Sequence, residues 1–255
     1  MTQATPENQP LKGQVALITG ATAGIGSAVA NAFLDAGADI VAVARRDDRL
    51  KSLVQRAEQL GQHCVVVTGD VRKESTAENA VEAAVRNFSQ LDILVNNAGV
   101  GIYKLIQDTS AEDFDTMMDT NIKGTFLFTR YAVPVMLRQA SGTIVNVASM
   151  AGVMGFPNEA VYCASKFAQV GFTQALDREL RPKGIKVGVV CPGGVKTEFA
   201  LGTGRTEEGV AESHMLEAQD VARSVMLMVT QPPHSRIIEI RMRPMVEPLA
   251  GRDLD

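Results

Sequence analysis

Short Val/Ile-rich runs alternate along the chain with stretches of helical character, and this alternation most narrows the folds available to it. The strand-like runs are V-A-L-I-T, D-I-V-A-V, C-V-V-V-T, D-I-L-V-N, T-I-V-N-V, K-V-G-V-V and R-I-I-E-I. Near-continuous apolar strands are typical of parallel sheets whose two faces are both covered by helices. The pattern predicts an α/β fold: one doubly wound domain with a parallel sheet of about seven strands flanked by helices.

The helical stretches and the irregular segments set the domain bounds. Helices are predicted over 25–36, 49–60, 75–88, 111–139, 161–181 and 218–230. The core domain spans 12–241, preceded by a flexible leader over 1–11 and followed by an aperiodic tail over 242–255. Residues 197–215 are polar and contain Gly202, Gly204 and Gly209, which predicts a mobile lid.

The composition excludes several classes of protein. A chain of 255 residues with 45% hydrophobic residues is long enough for one large domain. The formal net charge of -4, with acids and bases interspersed, leaves no basic stripe for nucleic acid, and no apolar run approaches the ~20 residues of a membrane span. Three scattered cysteines and three isolated histidines predict reduced thiols and no metal site. Because the N-terminal residues lack the features of a secretory signal, we expect a cytoplasmic protein.

A glycine-rich segment, T-G-A-T-A-G-I-G, follows the first predicted strand and leads into the first predicted helix. In that context Gly20, Gly24 and Gly26 would let a dinucleotide pyrophosphate approach the backbone and the helix N-terminus. The alternative is a tight strand-to-helix turn with no ligand. The segment therefore favours a nucleotide site without requiring one.

Tyr162, Lys166 and Ser149 form a second candidate group. Tyr162 and Lys166 are four residues apart on a predicted helix, so they share one face, and the lysine ammonium can favour the ionised phenol. Ser149 closes a predicted buried strand, which would deliver its hydroxyl to the edge where the strands end. The three side chains could converge on one carbonyl oxygen, as a hydride-transfer enzyme requires.

In order and spacing these motifs resemble the short-chain dehydrogenase/reductase superfamily over nearly the whole chain. The matching elements are T-G-A-T-A-G-I-G, Asp70 after the third strand, N-N-A-G at 96–99, Asn121, Ser149, Tyr162 with Lys166, and Pro192 with Gly193. The resemblance implies a Rossmann-like domain, a nicotinamide dinucleotide and a catalytic tetrad. The tetrad consists of Asn121, Ser149, Tyr162 and Lys166.

The same resemblance implies the cofactor-binding residues. They are Gly20, Thr22, Ala23, Gly24, Ile25, Gly26, Arg45, Arg46, Asp70, Val71, Asn97, Ala98, Gly99, Tyr162, Lys166, Pro192, Gly193, Val195 and Thr197. Relatives that use NAD have an acid at the end of the second strand, where this chain has Ala44 followed by Arg45 and Arg46. Guanidinium groups suit a phosphate dianion, which predicts NADP. A solvated loop in which Asp47 and Asp48 balance the arginines is the alternative. Ala23 also departs from NADP-using relatives that have a basic residue there.

The resemblance further implies the reaction: hydride transfer between a small-molecule secondary alcohol and its carbonyl form. Tyr162 would be the general acid in reduction and the base in oxidation, Ser149 would bind the carbonyl oxygen, and Lys166 would hold the nicotinamide ribose and lower the pKa of Tyr162. Asn121 would hold a local backbone irregularity and a water. The substrate walls would be 101–103, 150–158 with Met150 and Met154, 193–194 and the lid.

Three functional interpretations remain open from the sequence. The C-terminal run Q-P-P-H-S-R-I-I-E-I-R-M-R-P is similar to NADP-dependent 3-hydroxy-acid dehydrogenases. A 3-oxoacyl-carrier-protein reductase is the nearest other enzyme; docking an acidic carrier protein calls for a basic patch near the mouth, of which Arg181 and Lys183 are the only sign. A non-catalytic NADP(H)-sensing or scaffold protein belongs to another class.

By resemblance the chain would also form a homotetramer or homodimer. The expected two-fold contact uses the helix over 111–139 and the helix with Tyr162. It would contain Phe126, Phe128, Ala168 and Phe172.

Overall fold

The computed structural model of the protein describes residues 9–45 and 48–246, and of Asp48 only the backbone. Seven parallel strands form one sheet in the order β3-β2-β1-β4-β5-β6-β7. The strands are β1 Val15–Thr19, β2 Asp39–Ala44, β3 Cys64–Thr68, β4 Ile93–Asn96, β5 Gly142–Val147, β6 Ile185–Pro192 and β7 Glu239–Met242. The predicted doubly wound α/β domain is confirmed.

Helices cover both faces of this sheet. They are α1 Gly24–Asp35, α2 Lys51–Leu60, α3 Glu74–Phe88, α4 Ala111–Met118, α5 Gly124–Gln139, α6 Ala160–Leu180, α7 Glu207–Ala211 and α8 Ala218–Val229. Successive residues of a strand point to opposite faces. Accordingly, Ile18 packs in a buried cluster with residues of α1, α2 and α8, and Leu17 packs in a second cluster with residues of α3, α5 and α6. Within the described residues, no helix is both long and apolar enough to span a bilayer.

Two elements differ from their predicted form. The helix predicted over 111–139 is interrupted by a π-turn at Asp119–Lys123, which separates α4 from α5. The last strand, predicted over 236–240, begins only at Glu239. The reason is that the Asp177 carboxylate holds the Arg236 guanidinium at 2.6 Å, and pairing with β6 starts where Val189 lies opposite Glu239.

Two assignments of single residues are also corrected. Leu11, placed by the sequence in the flexible leader, is completely buried in the core, and its backbone N–H donates to the Ala36 carbonyl at 2.9 Å. Phe128, expected at a subunit contact, is completely buried inside the domain. Its neighbour Phe126 points outward instead and is 44% exposed. Helical periodicity explains the difference, because residues two apart on a helix face different directions.

The strand order reverses between β1 and β4, since β2 and β3 lie on one side of β1 and β4 to β7 on the other. Chain connections leave the sheet in opposite directions at such a point and open a crevice at the carboxyl ends of the strands. The glycine-rich segment follows β1, and Ser149 follows β5, at the same edge. The fold thus brings the two predicted groups to one crevice.

Candidate active site

A cavity of about 610 Å³ occupies the crevice at the carboxyl edge of the sheet. Its lining contains all the predicted catalytic and cofactor residues of the described chain except Asn121 and Gly26. Arg46 lies outside the described residues. A cavity of this volume falls within the range of small-molecule and cofactor sites.

The glycine segment forms one end of the cavity. Gly20 has a φ of +68°, a conformation that favours glycine, and a Cβ on Gly26 would lie 2.2 Å from the Gly20 carbonyl oxygen. The side chain of Asn97 fastens this turn, because its Nδ2 donates to the carbonyls of Thr19 and Gly20 at 3.0 and 3.2 Å. Helix α1 begins here without a side-chain cap. Its first N–H groups are therefore free to bind an anion.

The side of the cavity near β2 and β3 is cationic. Ala44 ends β2, and Arg45 follows it exposed on the cavity lining. Asp70 also lines the cavity, but its carboxylate is paired with Arg72, whose Nη2 lies 2.6 Å away. These hydrogen bonds from Arg72 hold the pKa of Asp70 below its usual value. Arg49, opposite, forms an ion pair with Glu198 at 2.7 Å.

The residues after β6 close the cavity over the glycine segment. The Gly193 N–H donates to the Met242 carbonyl at 2.7 Å, and Val195 pairs with Leu216. The Thr197 side chain lies so close to the glycine turn that a Cβ on Gly24 would be 2.9 Å from its Cγ2. Pro192, Gly193, Val195 and Thr197 all line the cavity.

Ser149 and Tyr162 meet at the other end of the cavity. Ser149 follows β5, and its Oγ accepts a hydrogen bond from the Ala151 N–H at 3.1 Å. Tyr162 lies in the first turn of α6, is 5% exposed, and packs against the rings of Tyr103 and Phe199 with centroids 5.6 and 5.8 Å away. Burial raises the pKa of the Tyr162 phenol, and its hydrogen bond with Ser149 acts in the opposite direction. The phenol is thus protonated at neutral pH and lies beside the Ser149 side chain.

Lys166 lies one turn further along α6, with its Nζ 5.8 Å from the centroid of the Tyr162 ring. It is 3% exposed. Its Nζ donates to the Val147 carbonyl at 3.2 Å and to Gln169 Oε1 at 2.7 Å. Burial lowers the pKa of the Lys166 ammonium to about 7. The expected proximity of lysine and tyrosine is present, although the hydrogen bonds of the ammonium go to other oxygens.

Asn121 lies in the π-turn and is completely buried. Its Oδ1 accepts from the Val100 N–H at 2.8 Å, while its Nδ2 donates to the Val100 carbonyl at 2.9 Å and to Ser165 Oγ at 2.9 Å. The side chain therefore joins the loop after β4 to α6. It reaches the site indirectly, since a Cβ on Gly99 would lie 3.2 Å from Asn121 Oδ1 and 3.6 Å from Lys166 Nζ.

The space beside Tyr162 is lined by aromatic and charged side chains. Tyr103, Phe156, Glu159, Phe199 and Arg205 line the cavity there, together with Met150. Arg205 lies with its guanidinium carbon 5.9 Å from the Phe199 ring centroid, and its Nη1 donates to the Val195 carbonyl at 3.3 Å. Burial raises the pKa of the Glu159 carboxyl, and the charge of Arg205 opposes that shift.

One expectation about this region changes. Met154, predicted as a pocket wall, is exposed and lies outside the cavity lining, with its sulfur 3.8 Å from Arg243 Nη1. Lys104 also lies outside the lining, because its Nζ is paired with Asp113 at 2.6 Å.

Arg49, Arg72, Glu159 and Gln169 are among the residues in and around the site that sequence reasoning missed. Spacing could have indicated two of them, because Glu159 and Gln169 lie three residues from Tyr162 and Lys166 respectively and so share a helical face with them. The pairing of Arg49 with Glu198 joins residues 149 positions apart. No local pattern indicates such a contact.

A family model for short chain dehydrogenase matches residues 14–208. The chain belongs to the short-chain dehydrogenase family. Two proteins named as uncharacterized oxidoreductases are similar to this dehydrogenase along the sequence. One, from Staphylococcus epidermidis, is 39% identical over 92% of this chain and 98% of its own. The other, from Thermotoga maritima, is 43% identical over 73% of this chain and 74% of its own.

Solved structures of dehydrogenases share the fold of this one. A serine dehydrogenase in its closed form, complexed with NADP+, superposes with a TM-score of 0.86 at 31% identity, covering 95% of this chain and 99% of that one. An alcohol dehydrogenase from Thermococcus sibiricus, complexed with 5-hydroxy-NADP, superposes with a TM-score of 0.83 at 25% identity. The match covers 92% of this chain and 98% of that one. The family membership makes this dehydrogenase an oxidoreductase.

Proposed function

We propose that this short-chain dehydrogenase uses NADP(H) to interconvert a secondary alcohol and its carbonyl form, with Tyr162 as the general acid and base. The observation that carries the proposal is a single cavity with the capless start of α1 at one end and the side chains of Ser149 and Tyr162 beside each other at the other. A dinucleotide needs an anion site and a reacting end within one cleft.

The chemistry of the cavity lining suits NADP. The glycine turn and the first N–H groups of α1 would hold the pyrophosphate. At the end of β2 stands Ala44 rather than a carboxylate, and Arg45 beside it would bind a 2'-phosphate by charge-assisted hydrogen bonds. The NADP complexes of structural neighbours support the same choice.

The side chains at the reacting end would have different roles in the reaction. When bound, the dinucleotide supplies or accepts the hydride. Tyr162, kept protonated by burial, would donate its proton to the carbonyl oxygen in reduction, and Ser149 would donate a hydrogen bond to the same oxygen. Lys166 would hold the nicotinamide ribose by its ammonium. Asn121 would fix the loop after β4 that carries Gly99.

The charged groups beside Tyr162 favour a substrate with a carboxylate, such as a 3-hydroxy acid. Arg205 is the cationic side chain that lines the cavity next to Tyr103 and Phe199. A guanidinium binds a carboxylate through two parallel hydrogen bonds. The serine dehydrogenase among the structural neighbours acts on a substrate of this kind, by its name.

The proposed reaction is tested by measuring NADPH oxidation with short 3-oxo acids, aldehydes, cyclic ketones and acyl thioesters. Tyr162→Phe should retain NADPH affinity and lose about 100- to 10,000-fold in turnover, because general acid catalysis contributes that much. Tyr131→Phe is the matched control, since its hydroxyl contacts Glu74 on the surface at 3.0 Å. NADPH binding without turnover of any carbonyl compound would leave only the sensing or scaffold function.

The carboxylate preference is tested by Arg205→Ala. We expect this variant to raise KM for a 3-oxo acid about ten- to a hundredfold, because a charge-assisted contact is lost, while KM for a neutral ketone changes little. Lys104→Ala removes the same charge outside the cavity and should change neither value. Equal losses for acid and neutral ketone would contradict a carboxylate site at Arg205.

A further inference from the structure

The surroundings of Lys166 are unusual for a buried cation. Among the described residues no carboxylate lies within 4.0 Å of its Nζ, and its two hydrogen-bond acceptors are neutral oxygens. One of these is the backbone carbonyl of Val147, which β5 holds in place. The other, at 2.7 Å, is the side-chain oxygen of Gln169. A buried charge is costly unless hydrogen bonds compensate it, so the shorter contact matters most.

A network of hydrogen bonds fixes which way the Gln169 amide faces. Gln169 is completely buried, and its Nε2 donates to Thr125 Oγ1 at 2.8 Å. The Thr125 hydroxyl in turn donates to the Asn121 carbonyl at 2.8 Å, in the π-turn. Because the hydroxyl hydrogen is already used, Thr125 Oγ1 acts toward Gln169 as an acceptor. The amide oxygen is thereby left to face Lys166.

We propose that Gln169, oriented by Thr125, is a positioning residue that holds the Lys166 ammonium at the wall of the active site. The proposal rests on the proposed function in one respect only, namely that Lys166 holds the nicotinamide ribose. Thr125 on α5 and Gln169 on α6 would thereby connect the π-turn to Lys166. An apolar side chain in place of Gln169 could not accept the hydrogen bond of the ammonium.

Few other groups can change the charge of Lys166. In the part of the chain that the structure describes, the titratable side chains that face it are the phenol of Tyr162 on its own helix and the thiol of Cys191 on β6. An acceptor oxygen favours the charged form of an amine. Removing the Gln169 oxygen should therefore lower the pKa of Lys166, and replacing it with a carboxylate should raise that pKa.

The central experiment titrates Lys166 directly in cofactor-free protein labelled with carbon-13 at the lysine ε position, with its signal assigned from Lys166→Arg. In Gln169→Leu the titration should move down by about one to two pH units, the value of a hydrogen bond to a charged group. In Gln169→Glu it should move up. A merely structural defect would not produce shifts of opposite sign.

Two threonines on α5 provide a further test and its matched control. Thr125 and Thr129 are four residues apart and both are buried, but Thr129 Oγ1 contacts Asn96 rather than Gln169. Thr125→Val should lower the titration of Lys166, by less than Gln169→Leu does, because the amide loses the partner that orients it. Thr129→Val should leave the titration unchanged. Thermal unfolding of all four variants checks that each is folded.

The functional readout is the dissociation constant of NADPH, followed by fluorescence. For Gln169→Leu it should rise about tenfold at pH 7.5, and the difference from the unsubstituted protein should narrow as the pH is lowered through the shifted pKa and Lys166 becomes charged again. Shifts of the same sign in the Leu and Glu variants, or equal effects of Thr125→Val and Thr129→Val, would overturn the proposal. If the titration shifts as expected and no carbonyl compound is turned over, the positioning stands and the proposed function fails.

Discussion

Individual side chains in the cavity carry positive charge in two contrasting settings. Lys166 is 3% exposed and depends on neutral oxygens, whereas Arg45 is exposed at the end of β2. Substituting a buried charged residue disturbs its whole network, but an exposed arginine can be removed with little effect on folding. Arg45 therefore offers the cleaner test of cofactor choice.

We expect the unsubstituted protein to prefer NADPH strongly over NADH, and Arg45→Ala to weaken NADPH binding about ten- to a hundredfold. The reason is the loss of one charge-assisted contact to the 2'-phosphate, which contributes ~1.5 to 3 kcal/mol. NADH affinity should stay almost constant. Fluorescence titration with both cofactors measures the effect, and Arg56→Ala, which breaks a surface pair with Asp35, is the control. Equal kcat/KM for the two cofactors would exclude the 2'-phosphate site.

Among the elements, the segment 197–215 is the one whose packing most affects access to the site. It is largely irregular apart from α7, and it lies against the loop after β4. The Tyr103 N–H donates to the Thr203 carbonyl at 2.7 Å, and Thr203 Oγ1 donates to the Gly101 carbonyl at 2.8 Å. Few of its residues are buried, so little apolar contact holds it in this position.

We predict that this segment opens without ligand and closes when NADPH and substrate bind. Hydrogen exchange of its amides should slow on addition of both, because closure protects backbone groups that few buried contacts otherwise hold. Amides of β5, in the middle of the sheet, serve as the internal reference and should not change. Equally slow exchange with and without ligands would show a fixed wall.

The whole molecule leaves aromatic side chains on its surface. Phe114 on α4, Phe126 on α5 and Phe167 on α6 are between 44% and 47% exposed. Exposed apolar side chains of this size are of the kind that a contact between protein chains buries. The predicted contact between copies of the chain along α5 and α6 would bury such residues.

Light scattering should therefore give a mass of two or four times 27.3 kDa, with a tetramer expected. Phe126→Ser combined with Phe167→Ser should shift the mass toward that of a single chain, because apolar area is removed from the contact. Leu60→Ser, on α2, removes a 40% exposed apolar side chain elsewhere and should leave the mass unchanged. A stable monomer of the unsubstituted protein at micromolar concentration would rule out this assembly.

Much of the site was predictable because its residues follow strands. Gly20 and Ser149 come directly after runs of apolar residues, and parallel strands end at one edge, so local pattern was sufficient to bring them together. The helix over 111–139 was predictable in extent but not in form. Its π-turn depends on Asn121 being tied to Val100, a loop residue 21 positions away. Hydrophobic periodicity is a local pattern and does not indicate such a contact.

The sequence by itself determined the doubly wound sheet, the glycine turn after β1 and the pairing of Tyr162 with Lys166, because the patterns that indicate them are each formed by residues close together along the chain. Only the tertiary structure decided what surrounds those residues. It placed Gln169 and Val147 around the lysine, Arg72 on Asp70, and Arg205 over Phe199. Burial raises the pKa of Tyr162 and lowers that of Lys166. This burial arises because elements far apart in the sequence pack together, and neither composition nor motif spacing indicates that packing.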